Sequence, residues 1–189
     1  IRAMAPKGII LSGGPFSVYG KDAPRCDPAL FTLDIPILGI CYGLQLMAHL
    51  LGGEVASSQK REYGMARVTL DEGGKLFKNI GGKGTKIEVW MSHGDQIRKM
   101  PRGFHAIAHT RNTPYAAIAD HRREMYGLQF HPEVVHTPKG MEVIRNFLFR
   151  ICGCSHLWTL TSFLDQTVQN LKERIGSKKV ICALSGGVD

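Results

Sequence analysis

A short apolar strand that runs into an amphipathic helix without an intervening loop is the feature that most limits how this chain can fold. The segment reads Pro36-Ile37-Leu38-Gly39-Ile40-Cys41-Tyr42-Gly43-Leu44-Gln45-Leu46-Met47. Leu44, Met47, Ala48 and Leu51 recur at i, i+3, i+4 and i+7, the stripe of a helix packed on a core. Gly52-Gly53 supplies its stop signal. Gly39 and Gly43 permit a sharp turn between strand and helix. Cys41 therefore projects from a strained corner, as a nucleophile does on a strand-to-helix elbow. It also sits at the N-terminus of the new helix, where unpaired N–H groups and the helix dipole favour a thiolate.

The rest of the chain alternates in the same way. Apolar runs predict strands at 8–12, 36–40, 66–70, 86–91, 104–109, 115–120 and 125–130. Arg111-Asn112-Thr113-Pro114 is a turn joining two of them as an antiparallel pair. A helix is expected over about 139–151, burying Val143, Ile144, Phe147 and Leu148, and another over about 159–175, with a stripe of Leu160, Phe163, Leu164, Val168 and Leu171. Residues 71–85 are rich in glycine and lysine and read as an exposed loop with a helical turn near Lys75–Asn79. The pattern is that of an α/β fold, a doubly wound, mostly parallel sheet with flanking helices.

Two further segments carry chemistry. In Phe130-His131-Pro132-Glu133, Pro132 pushes His131 into an extended conformation. Residues two apart in an extended segment point the same way. Glu133 is thus able to hold one imidazole nitrogen while the other faces a thiol, the logic of an activated nucleophile. In Ile9-Ile10-Leu11-Ser12-Gly13-Gly14-Pro15, a buried-looking strand enters a glycine loop whose backbone N–H groups are suited to a developing oxyanion.

Ser12-Gly13-Gly14-Pro15, Gly39-Ile40-Cys41-Tyr42-Gly43-Leu44-Gln45 and Gly127-Leu128-Gln129-Phe130-His131-Pro132-Glu133, in that order, resemble the class I glutamine amidotransferase domain. The resemblance covers roughly residues 5–150 and implies a flavodoxin-like sheet. It implies that Cys41 attacks the side-chain amide of glutamine, forming a γ-glutamyl thioester and releasing ammonia, with His131 as acid/base and Glu133 as its orienter. Gly14 and the N–H of Tyr42 would form the oxyanion hole. Gln45, one helical turn past Cys41, would help bind glutamine. Ser92-His93-Gly94-Asp95 resembles the segment that contacts the amino-acid end of the substrate, which marks Ser92 and His93. No cofactor or metal is implied for glutamine hydrolysis.

The far end of the chain reads as a strand entering a glycine loop, Ser185-Gly186-Gly187-Val188-Asp189. It is not a Walker A loop and resembles the pyrophosphate loop of N-type ATP pyrophosphatases, whose N–H groups cradle ATP. The expected organisation is an amidotransferase domain over 1–151, a junction over 152–158, and the start of an ATP pyrophosphatase domain over 159–189. This is the layout of the XMP-aminating members of the family. It implies ATP, Mg²⁺ and XMP as reactants in domains beyond Asp189, and a homodimer for the full-length form. The chain is expected to be an internal piece, lacking a first strand and helix. The alternatives are an amidotransferase with another acceptor, a γ-glutamyl hydrolase-like enzyme without an ATP domain, and a catalytically silent regulatory module.

Composition narrows the class. Five cysteines without framework spacing fit a reducing cytoplasm better than a disulfide scaffold. No apolar run reaches the length of a membrane span and no signal peptide is evident. The net charge of +8 comes from scattered basic residues without interleaved aromatics, which does not point to nucleic acid. Cys152-Gly153-Cys154-Ser155-His156 lacks the second ligand pair a zinc site needs. His49, His105, His109, His121, His136 and His156 are assigned structural or surface roles.

Overall fold

The computed structural model describes residues 1–155 and 160–181. They divide into two compact units, Ile1–Cys154 and Ser155–Asp189. The first holds seven strands in one sheet. These are β1 (Ile9–Leu11), β2 (Ile37–Ile40), β3 (Glu54–Leu70), β4 (Lys86–Lys99), β5 (His105–His109), β6 (Ala117–Asp120) and β7 (Met125–Leu128). Helix α1 (Tyr42–Leu50) follows β2. Helix α2 (Gly140–Arg145) continues into a π-helical turn, Asn146–Ile151. The second unit contributes α3 (Leu160–Ile175), on which Leu164, Val168 and Leu171 are exposed.

The strands lie in the order β1-β2-β7-β6-β5-β3-β4. Pairings β1–β2 and β2–β7 are parallel, and the remaining four are antiparallel. The α/β class is as expected, but the sheet is mixed rather than mostly parallel. Flavodoxin-like winding is confined to β1, β2 and β7. In the antiparallel half, short connections join β5 to β6 and β6 to β7, while the longer 71–85 segment joins β3 to β4. A parallel neighbour requires a longer crossover than those two short connections.

Two cores cover the two faces. Leu44, Met47 and Ala48 of α1 pack with Ile37, Ile118 and Met125 on one side. Val143 and Phe147 pack with Leu38, Tyr126 and Leu128 on the other. Adjacent residues of β2 and β7 thus feed opposite cores, which is why both strands are apolar throughout. The 71–85 segment is less exposed than its composition suggests. Leu76 and Phe77 are fully buried, and the buried Asn146 side chain donates to the carbonyls of Leu76 and Lys78 at 3.0 and 2.7 Å.

Strands β3 and β4 run well past the expected 66–70 and 86–91. Their extension pairs Ala56 and Ser57 with Gln96 and Asp95, and Glu62 with His93, across a register shift. Polar residues from Ser57 to Glu62 hide this pairing from an alternation test. Part of what holds the long hairpin to the sheet is the half-buried Glu62. It accepts hydrogen bonds from Thr110 (2.8 Å) and Thr113 (2.6 Å) in the β5–β6 turn and lies 3.4 Å from His93 Nε2. Burial alone would raise the Glu62 pKa. The His93, Thr113 and Thr110 contacts outweigh it and hold the carboxyl at about 2.

Two measurements check this account. A Cβ at position 43 would overlap the Leu11 carbonyl, and one at 127 would overlap the buried Leu44 side chain. Gly43→Ala and Gly127→Ala are each expected to destabilise the fold by about 1–3 kcal/mol or more in urea unfolding. Glu62 has a depressed folded-state pKa, so its stabilisation is full above its ordinary value of 4.5 and fades as pH falls toward about 2. The stability gap between the parent chain and Glu62→Gln should therefore be constant above that ordinary value and shrink below it.

Candidate functional site

The site gathers at the C-terminal ends of the parallel strands, where open α/β sheets place their ligands. Cys41 follows β2 directly and has φ 49° and ψ −104°, a left-handed conformation rare for a residue with a side chain. Two glycines make room for this corner. A Cβ on Gly39 would lie 2.7 Å from the Leu44 nitrogen, and Gly43 rests against the Leu11 carbonyl. The Cys41 carbonyl accepts from Gln45 N–H at 3.1 Å and starts the helix.

His131 and Glu133 arrive from the loop after β7. His131 Nδ1–H donates to Glu133 Oε1 at 2.7 Å, which leaves Nε2 as the nitrogen able to take a proton. The His131 backbone is fixed from both sides. Its N–H donates to the Trp90 carbonyl at 3.0 Å, and its own carbonyl accepts from Thr137 Oγ1 at 2.6 Å. Thr137 Oγ1 in turn accepts from Trp90 N–H at 3.0 Å. Cys41 and His131 meet at Gly13, where a Cβ would lie 2.9 Å from His131 Cε1 and 3.7 Å from Cys41 Cβ. A side chain there would act as a wedge between them. Gly14 comes next in that loop, and its Cβ position is 3.8 Å from Tyr42 Cβ. The Tyr42 hydroxyl points away, donating to the Pro24 carbonyl.

A pocket of about 350 Å³ opens over Cys41. Gly14, Gln45, Ser92 and His93 line it, together with Arg61 and Tyr63 of β3. All five residues expected to bind substrate are thus near Cys41, but the buried side chains of Tyr42, Gln45 and His93 are already engaged. Gln45 Nε2 donates to the Asp95 carbonyl at 2.9 Å and to Gln129 Oε1 at 3.2 Å. His93 is buried, with Nδ1 3.0 Å from the Asp95 carbonyl and Nε2 turned toward Glu62 without hydrogen-bond geometry. The Ser92 side chain is exposed, and its carbonyl is the acceptor for the Cys41 thiol at 3.6 Å.

Sequence reasoning missed three participants. Gln129 is fully buried and donates through Nε2 to Cys41 Sγ at 3.6 Å. A polar residue at the end of an otherwise apolar strand was the available signal. Glu62 and Arg61 lie in a stretch that gave no strand pattern.

The expected resting thiolate is not what the surroundings favour. Burial is the largest influence on Cys41 and raises its pKa; the Tyr42 N–H lowers it, Glu133 raises it and the Gln129 amide lowers it, leaving about 11. Desolvation outweighs the helix N-terminus.

Among the described residues, one group of three metal-ligating side chains converges, Glu72 with His105 and His121. It belongs to the opposite end of the sheet. Cys152 and Cys154 are free thiols; His156 and the expected ATP loop, Ser185–Asp189, lie outside the described residues. No helix among those described is long and apolar enough to cross a membrane.

Comparison with known proteins identifies the family and the fold. The family model for glutamine amidotransferase class-I matches residues 1–151. GMP synthase [glutamine-hydrolyzing] of Nostoc punctiforme is 53% identical over 189 residues, and that of Synechococcus sp. (strain CC9311) is 54% identical over 190. Both alignments take in the whole of this chain but 34% and 35% of the relatives, so the chain spans about a third of their length. A structure from Thermoplasma acidophilum, assigned to GMP synthase, superposes with a TM-score of 0.65 at 29% identity, over 87% of this chain and 76% of its own. A glutamine amidotransferase structure from Methylobacillus flagellatus gives 0.57 at 26% identity, over 68% of this chain and 52% of its own. With motifs, fold and family model in agreement over the first unit, the chain belongs to the class-I glutamine amidotransferase family.

Proposed function

We propose that the first unit hydrolyses glutamine to glutamate and ammonia through Cys41, His131 and Glu133. The observation that carries this reading is the meeting of Cys41 and His131 at Gly13, with Glu133 holding the far nitrogen of the imidazole. The Cys41 thiol passes its proton to His131 Nε2 as sulfur attacks the amide carbon of glutamine. The carbonyl oxygen, now negative, is received by the Gly14 and Tyr42 N–H groups. Collapse of this intermediate breaks the C–N bond, and His131 gives its proton to the departing ammonia. A water, activated by the same imidazole, then hydrolyses the γ-glutamyl thioester. Glu133 keeps His131 in the tautomer this exchange needs and supports its transient positive charge.

Gln129 supports the thiolate. Its amide donates to Cys41 Sγ, and its carbonyl oxygen is held by Gln45. Because burial favours the neutral thiol, proton transfer to His131 is coupled to attack. The resting enzyme does not store a thiolate.

At the level of the whole protein, we read the ammonia as delivered to an ATP-activated XMP in a neighbouring domain. Supporting this are the relatives named GMP synthase [glutamine-hydrolyzing], 53–54% identical across the chain. The Ser185-Gly186-Gly187-Val188-Asp189 sequence would hold the ATP pyrophosphate, with Mg²⁺ as counter-ion.

Three measurements test this proposal. In the full-length protein, Cys41→Ala should abolish glutamine-dependent synthesis and leave synthesis from free ammonia intact; equal loss of both would overturn the division of labour. His131→Ala should lower glutamate release by about 10²–10⁴-fold, with a smaller loss for Glu133→Gln. Alkylation of Cys41 in the substrate-free chain should accelerate with pH toward about 11, rather than level off near the ordinary thiol value of 9.0.

A further inference from the structure

The group formed by Glu72, His105 and His121 serves none of the steps above. It is drawn from three separate segments. Glu72 lies just beyond β3, where Asp71 N–H bonds the Ile107 carbonyl at 2.9 Å. His105 opens β5, and His121 follows the last residue of β6. One ligand atom from each lies within 4.8 Å of the other two. The two carboxylate oxygens divide between the histidines, with His105 Nε2 3.3 Å from Oε2 and His121 Nε2 2.7 Å from Oε1. The imidazole rings are 4.9 Å apart.

The supports of this group are polar and directional. Tyr126 donates its hydroxyl proton to Glu124 Oε2 at 3.1 Å. The phenol oxygen, 3.4 Å from His121 Nδ1, is therefore left to accept that nitrogen's proton. His121 Nε2, 2.7 Å from Glu72 Oε1, is the proton donor of that hydrogen bond until an ion displaces the proton and takes the nitrogen's lone pair. A polar group placed to receive the outer N–H of a metal-bound histidine is its usual companion. Asp120 holds the turn that carries His121, accepting from Arg122 and Arg123 N–H at 3.0 and 3.1 Å. All three ligand side chains are partly open to solvent, so an ion can enter without unfolding.

We propose that Glu72, His105 and His121 bind a divalent transition metal ion, zinc being the best match. Two imidazole nitrogens and one carboxylate suit Zn²⁺ or Co²⁺ better than Mg²⁺ or Ca²⁺, which prefer oxygen shells. Water completes the coordination. The site lies at the far end of the sheet from Cys41. His121 follows Asp120, which pairs with Met125 at the start of β7, and Met125 pairs with Ile37 at the start of β2. Cys41 follows the other end of that strand. The bound ion ties the β3–β4 hairpin, through Glu72, to β5 and to the β6–β7 turn. Only the two residue pairs Thr69–His109 and Leu70–Ala108 join β3 to β5 in the sheet. Metal binding is thus expected to stiffen this seam without altering the glutaminase chemistry.

The test is titration of the chain with Co²⁺, followed by absorbance, and with Zn²⁺, followed by calorimetry. One ion per chain should bind, with a cobalt spectrum of nitrogen and oxygen ligands and no thiolate-to-cobalt charge transfer. His105→Ala and Glu72→Gln should each weaken binding by about tenfold or more, whereas His136→Ala should not. Thermal unfolding of the metal-free variants shows whether the fold survives each change, and the exposed His105 keeps one variant readable if another unfolds. Absence of uptake, uptake signalled by thiolate charge transfer, or uptake indifferent to both His105→Ala and Glu72→Gln would each overturn the assignment.

Discussion

The seating of α1 on the sheet with no side chain between Gly43 and the Leu11 carbonyl is the contact on which the rest of the site depends. It brings the first turn of the helix down to the end of β1. There the loop of Gly13 and Gly14 begins, so the loop's backbone and the Tyr42 amide share one small space. The same closeness forces Cys41 into its positive φ. The strain is held because the strand before it and the helix after it are buried. A local cost at the corner is offset by burial on both sides, a pattern common where a reactive group must project.

Two opposing effects act on that thiol, and their sizes decide its resting state. The helix N-terminus and the Gln129 amide favour the anion, while burial and the nearby Glu133 disfavour it. Desolvation wins because Cys41 is only 4% exposed. In the proposed mechanism this makes His131 the proton acceptor at the moment of attack, with polar groups poised to support charge only once it appears. In that mechanism the Glu133–His131 pair matters for the same reason, since orientation of the imidazole takes the place of a stored thiolate.

Where function is encoded in short spacings, the sequence could be read directly. The Cys41 corner, the His131–Glu133 pair and the α1 stripe depend on neighbours within a few residues. What could not be read depends on distant partners. The polar stretch from Ser57 to Glu62 has no apolar alternation, and its pairing with β4 resumes at Glu62, whose side chain is held by Thr110 and Thr113. Gln129 stood inside a recognised motif, yet its partners, Cys41 and Gln45, lie on a different element. The mixed character of the sheet was obscured because an apolar run predicts a strand without its direction. For β5–β6 and β6–β7, direction follows from the length of the connection, which is too short for a crossover, whereas the 71–85 connection after β3 is long enough to allow either direction.

The burial of Cys41 bears also on its chemical durability. Peroxides and other oxidants react with thiolates that solvent can reach, and sulfinic or sulfonic products are not readily reversed. Cys41, a residue only 4% exposed and with a pKa of about 11, presents very little thiolate to such reagents. Under the proposed mechanism, the desolvation that defers deprotonation until a substrate amide arrives would also shield Cys41 from irreversible oxidation.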